Sequence, residues 1–228
     1  MACLGIVLLG QRWHQIGSAL GRACAAAYTG QVTDELLSSY AAPSGRAVAK
    51  EITHLDECCR AFLAMCPFVV LSSATGEGDP DVSPRGGEPG FVQVLDPQAV
   101  MLPDRTGNNR LDSLQKITAN PRVALLCMVP GIDETLRIYG RAELLAAADA
   151  PTESIEHGRL PRSVLVIAVD RALMHCAKAL MRARLWSPEA QVPRHAFPSM
   201  GEVMLAHTGA SGPAESQEDM RHRYQAQL

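Results

Sequence analysis

The sequence predicts a mainly β protein with α additions, an α+β chain built on an antiparallel barrel. Three observations carry that expectation. Short apolar runs without a helical period recur along the chain, Gly, Pro and Asp clusters separate them, and only a few segments show the spacing of an amphipathic helix. A parallel sheet would instead alternate strands with long helical patterns, which are missing here. The chain has 228 residues and 47% hydrophobic content, enough for one core with at most a small appended lobe. Twenty-one Lys and Arg against 24 Asp and Glu give a formal charge of -3, so no general basic field exists to recruit nucleic acid or anionic lipid, and neither is expected as a partner. The seven cysteines, at positions 3, 24, 58, 59, 66, 127 and 176, include no C-x-x-C pair or zinc-ligand spacing. They read as thiols in a reducing, cytoplasmic setting, with no metal site.

Taken in order, residues 1–30 read as a weakly packed extension. Met1 to Gly10 is apolar but too short to span a bilayer and lacks a basic segment before it, although Ala23-Cys24-Ala25 resembles a cleavage site. Residues 31–206 form the expected domain, and 207–228 a polar, mobile tail. Asp34 to Tyr40 reads as a short helix broken at Pro43-Ser44-Gly45. Thr53 with Asp56 resembles a capping box, followed by apolar residues at helical spacing from Leu55 to Cys66 and a stop at Pro67. Phe68 to Ala74 and Asp81 to Arg85 form a hairpin around Thr75 to Pro80. Gly90 to Leu95 and Ala99 to Leu102 form another around Asp96-Pro97-Gln98. A helix is expected over Asn109 to Thr118, a strand pair over Arg122 to Val129 and Thr135 to Leu144, a buried strand over Ser163 to Val169, and a helix over Leu173 to Leu185.

Four clusters could carry chemistry. In Leu102 to Leu114 a strand leads through a polar glycine loop, with Asn108, Asn109 and Arg110, into the expected helix. Free N–H groups at a helix start, its positive dipole end and the Arg105 and Arg110 guanidinium groups can together bind a phosphate. The same residues also read as an N-cap beside solvated arginines. Asp79 to Gly87 places glycines after Arg85, where backbone could approach a flat ligand, or Arg85 could simply pair with Asp81 or Glu88 in a turn. Alternation along Thr135 to Tyr139 puts Thr135, Arg137 and Tyr139 on one strand face, opposite Leu136 and Ile138. On a helix, His175, Lys178 and Arg182 would form a basic stripe facing an acidic substrate, a partner subunit or only solvent. No catalytic acid or base stands out.

Read in order, these stretches resemble one family. Phe68 to Ala74, Pro80 to Gly86, Pro89 to Val92, Met101 to Leu114, Val129 to Ala142 and His175 to Trp186 are similar to the successive motifs of the pyridoxamine 5'-phosphate oxidase-like, FMN-dependent split β-barrel proteins. The resemblance covers roughly residues 32–205. It implies a six-stranded antiparallel split barrel with flanking helices, a homodimer, and FMN in a cleft between subunits. By position it places Ser83, Arg85, Pro103, Asp104, Arg105, Asn108, Asn109, Arg110 and Thr135 at the flavin, and leaves Arg137, Tyr139, His175 and Lys178 for the substrate side. Tyr139 stands where the family more often has Asn, and Ala183 where it has Ser. The basic flavin strand of the true vitamin B6 oxidase is missing, which argues against that particular activity. The implied function is FMN-dependent oxidoreduction of a small molecule, with one flavin face open to the substrate or to NADH or NADPH. The other readings on this barrel are a noncatalytic flavin or haem carrier or sensor and a deazaflavin-dependent reductase.

Overall fold

A computed structural model describes residues 36–225 apart from 106, 108, 147 and 149–160. The extension at 1–30 therefore lies outside the described residues. The chain divides between Val48 and Ala49 into two units. In the first, residues 36–38 are helical and the Ser44 hydroxyl accepts a hydrogen bond from the Ala47 N–H, so this serine starts a short helix, α1 (Gly45–Ala49), where a break was expected.

The second unit is built on strands β1 (Phe68–Ala74), β2 (Pro80–Gly86), β3 (Gln93–Asp96), β4 (Ala99–Asp104), β5 (Arg122–Met128), β6 (Thr135–Ala146) and β7 (Ser163–His175). They form one antiparallel sheet of seven strands in the order β2-β1-β5-β6-β7-β4-β3. The mainly β, α+β architecture is as expected. Among the described residues the count of six strands is corrected to seven, and the sheet does not close by pairing, since β2 and β3 remain its edges. The four-residue β3 pairs with β4 across the Asp96-Pro97-Gln98 turn, in which Asp96 accepts from the Gln98 N–H. It begins later than the apolar run suggested, because Gly90 adopts a φ of +87° and the Phe91 N–H closes a turn onto Glu88.

Burial alternates along the strands, as a sheet with one packed face requires. Val69, Leu71, Leu125, Cys127, Leu136, Ile138, Leu165 and Ile167 form the inner face, with Leu55, Phe62 and Leu63 of helix α2 (Glu57–Ala64) and its entry against them. The N-cap of α2 is Asp56, whose carboxylate accepts from the Cys59 N–H and is thereby held below the usual carboxylate range. Thr53 is thus not the cap, and Asp56 is not the N3 residue of a capping box. The bulge between Tyr139 and Gly140 in the β6–β7 ladder explains the glycine: a Cβ there would collide with the Ala168 carbonyl oxygen.

Two helix boundaries are also corrected. Helix α3 spans Asp112–Ala119 and not 109–118, because Asn109 takes a left-handed φ of 58° that no helix accommodates. β7 continues to His175, six residues beyond the expected strand end, and the helix after it is only α4 (Lys178–Ala183). Residues 170–175 have helix-forming Ala, Leu and Met, but the ladder from Thr135 to Tyr139 satisfies their backbone groups and overrides that propensity. The expected mobile tail contains a helix. After α5 (Met200–Thr208), α6 (Gln217–Gln225) starts with the Ser216 hydroxyl accepting from the Asp219 N–H and is clamped by Arg223 to Glu215. No described helix is long and apolar enough to cross a membrane.

Candidate functional site

β2 and β4 are separated by four intervening strands in the sheet, yet their side chains meet. Arg85 Nη1 donates to Asp104 Oδ1 at 2.7 Å, with side chains only 21% and 17% exposed. The sheet therefore curls until its first strand approaches its sixth, and this ion pair bridges the opening. Alternation on β2 puts Asp81, Ser83 and Arg85 level with Ser73, Leu71 and Val69, on the inner face. The Arg85 Nε–H is buried there with no acceptor among the described residues. A buried donor without an acceptor costs roughly 1–3 kcal/mol, so an acceptor oxygen brought to this atom would be stabilising.

Helix α3 packs against β1, β2 and β6. Ser113, 5% exposed, donates to Asp81 Oδ2 at 2.7 Å, and Lys116 Nζ reaches Asp79 Oδ2 at 3.2 Å and the Pro80 carbonyl at 3.3 Å. Beside them is a cleft of about 430 Å³ lined by Thr75, Asp81, Arg110, Asp112, Gln115 and Lys116. Arg110 is anchored at its rim, with Nε 2.8 Å from Asp112 Oδ2. The helix does not start at Asn109, and its N-cap position, Leu111, makes no side-chain cap. Any anion in this cleft would thus be held by Arg110 and Lys116 more than by a capped helix end.

Of the expected flavin residues, Pro103 is buried, Asp104 and Arg105 are half-buried at the end of β4, and Asn108 lies outside the described residues. Arg85 pairs with Asp104 instead of Asp81 or Glu88. Thr135 is 3% exposed, but it sits elsewhere. Opposed to His175 in the β6–β7 ladder, it lies with Arg137 and Tyr139 on the outer face, away from Ser83 and Arg85. His175 is at a strand end and Lys178 is exposed on α4, so the helical stripe joining them to Arg182 does not exist. The Arg171 guanidinium lies 4.2 Å over the Tyr139 ring. Burial, Arg137 and Lys50 together hold His175 below the ordinary imidazole range.

Sequence reasoning missed Ser113, Lys116 and Lys50. The i, i+4 spacing of Asp112 and Lys116 was a usable signal for the second. Nothing local pointed to Lys50, which the isolated bridge between Ile52 and Ala172 brings alongside β7. Cys66 and Cys127 offer no accessible nucleophile. A hydrogen bond with the Cys127 thiol lowers Cys66 to about 7 despite burial, but both thiols are sealed in the core.

An open, curled antiparallel sheet with flanking helices defines a split-barrel fold. Residues 55–176, more than half of the chain, match the family model described as pyridoxamine 5'-phosphate oxidase, and the chain belongs to that family. Solved structures similar to it include HupZ from Group A Streptococcus, 16% identical over 51% of this chain and 90% of that one, with a TM-score of 0.41. A candidate pyridoxamine 5'-phosphate oxidase from Lactobacillus delbrueckii is 22% identical over 54% and 95% of the two chains, with a TM-score of 0.41. An FAD-binding protein from Mesorhizobium loti is 19% identical over 54% and 97%, with a TM-score of 0.36. No curated protein matches the chain.

Proposed function

We propose that this protein is an FMN-binding oxidoreductase acting on a small molecule, with its site completed by a second copy of the chain. The observation that carries the cofactor reading is Arg85: Asp104 fixes one end of its guanidinium while the buried Nε–H still lacks an acceptor. A flavin carbonyl or phosphate oxygen supplies one. Arg110 and Lys116, lining the neighbouring cleft, are suited to the phosphate charge, and Ser83, on the same inner face as Arg85, to the wall of the site. FMN, when bound, supplies the electron or hydride transfer. The chain's own residues bind and orient: Asp104 holds Arg85, and Ser113 on α3 holds Asp81.

The dimer reading is supported by the division of candidate residues between the two sheet faces. Ser83 and Arg85 face inward, whereas Thr135, Arg137 and Tyr139 face outward on a central strand, so one ligand cannot touch both sets within a single chain. A two-fold partner can bring its outer face to this opening. Val82, 69% exposed, and the half-buried Phe68, Val70, Leu126 and Met128 supply apolar surface on that outer face.

The test is the full-length protein's absorption spectrum followed by turnover. The proposal expects stoichiometric FMN, bleached by NADH or NADPH and restored by an acceptor, in a dimer by light scattering. Flavin that exchanges without being reduced, or a haem spectrum, identifies a carrier and overturns the enzymatic reading. A monomer with full FMN content overturns the shared site.

A further inference from the structure

We infer that Lys50, Arg137 and His175, with Arg171 and Tyr139 beside them, form a subsite on the outer sheet face for an anionic group, a carboxylate or a phosphate, of a small molecule. The inference deepens the proposed function by naming the substrate class, and its test does not require that flavin be bound.

The ladder fixes the geometry. Thr135 opposes His175, Arg137 opposes Leu173 and Tyr139 opposes Arg171, and opposed residues of antiparallel strands project to the same face. The 4.2 Å stacking of Arg171 on Tyr139 confirms that side. The bridge between Ile52 and Ala172 lays the segment carrying Lys50 and Glu51 along β7. Arg137 and Lys50 are both near enough to His175 to disfavour its protonation. Three basic groups thus converge on one partly desolvated patch.

Their counter-charges decide what the patch can do. The nearby carboxylate, Glu51, is engaged by Arg171 at 3.4 Å, while Lys50 and Arg137 form no ion pair or hydrogen bond among the described residues. A solvated surface cation needs no partner. Arg137, however, is half-buried between the side chains of Leu126 and Leu173, where the local dielectric is lower and mutual repulsion correspondingly larger. An arriving anion relieves that repulsion. The Arg137 fork matches a pair of carboxylate or phosphate oxygens, His175 adds an N–H donor, Lys50 adds a point charge, and the Arg171-covered Tyr139 ring forms a side wall.

The experiment is an NMR titration of the full-length protein, its histidines labelled and the His175 signal assigned with His175→Gln, against inorganic phosphate and, separately, acetate. Saturable movement of the His175 signal with an upward shift of its pKa is expected for phosphate, for acetate or for both, and the stronger probe identifies the anion class. Arg137→Gln should weaken that probe about tenfold, the equivalent of one charge-assisted hydrogen bond. Lys50→Gln, at an exposed position that cannot threaten folding, should weaken it less. Non-saturable shifts, or equal shifts in wild type and both Gln variants, overturn the subsite. If the shifts saturate but the protein never retains flavin, the subsite stands and the proposed cofactor fails.

Discussion

The mouth of the sheet and the outer face of β6–β7 both gather charged side chains, and they treat them in opposite ways. At the mouth, Arg85 meets Asp104, Lys116 meets Asp79, Arg110 meets Asp112, and Ser113 donates to Asp81. On the outer face, Arg137 and Lys50 sit near His175 without a carboxylate of their own among the described residues. The first arrangement is preorganised, because each guanidinium or ammonium group is already aimed by a partner from another element or the next turn. The second is under electrostatic tension and gains from whatever anion arrives. The two faces of one sheet thus hold their charges by opposite means, one pairing them in advance and the other leaving them uncompensated.

The sharpest way to break that contrast is Asp104→Ala. Removing this carboxylate leaves a largely buried guanidinium with neither Nη1 nor Nε satisfied, and the sheet loses its bridge between β2 and β4. A loss of about 2–3 kcal/mol in urea unfolding is expected, in the range for an orphaned buried charged donor. The double variant Asp104→Ala, Arg85→Met should recover much of that loss, because no charge is then left unpaired. A single-variant effect below about 0.5 kcal/mol would mean that the mouth is no better organised than the outer face.

Arg110→Ala tests what the mouth is organised for. Arg110 is 75% exposed, so its loss should leave unfolding unchanged. FMN carries roughly two negative charges near neutral pH, and one charge-assisted bond to its phosphate is worth about 1.5–3 kcal/mol. FMN binding should therefore weaken by roughly 10- to 100-fold, with riboflavin nearly unaffected and Arg110→Lys only partly restored. Equal weakening of FMN and riboflavin removes the phosphate from this cleft.

Local pattern made the strands legible, along with the family motifs they carry. Phe68–Ala74, Arg122–Met128 and Thr135 onward all fall where turn residues and apolar alternation put them, and the inner-face residues follow from the two-residue period. The errors fall where a distant segment decides. Residues 170–175 form strand because β6 pairs with them, and the helix after the glycine loop starts late because Asn109 turns left-handed. Arg85 finds Asp104, 19 residues away, instead of a neighbour in its own turn. The motif order put Arg85, Asp104 and Arg110 in one neighbourhood, but the opposed faces of β2 and β6 and the placement of Lys50 follow only from the curl and register of the sheet.

Arg137→Ala sharpens the contrast from the other side. At the mouth, loss of a charged group is costly, whereas here it removes a cation from a repulsive cluster. The variant should unfold within about 0.5 kcal/mol of wild type near neutral pH, lost packing of the arginine stem offsetting the relief of repulsion.

The smallest effect should be the most diagnostic, because it depends on pH. His175 is held below its ordinary value by burial, Arg137 and Lys50, whereas in the unfolded chain it titrates at about 6.5. Between the lowered folded value and the unfolded value, the unfolded chain binds more protons. The stability contribution of His175 is therefore fully present above about pH 6.5 and is lost as the pH falls through that window. Removing Arg137 takes away one cause of the shift, so the stability of Arg137→Ala should decline less steeply with acidification than that of wild type. Urea midpoints measured from about pH 5 to 8 read this directly, with His175→Gln as the control that lacks the titration altogether. Phosphate in the buffer should flatten the wild-type slope in the same direction, since a bound anion favours the imidazolium. Parallel slopes in wild type, Arg137→Ala and His175→Gln would show that the outer-face cations do not act on one another, and that the difference between the two sheet faces is only one of exposure.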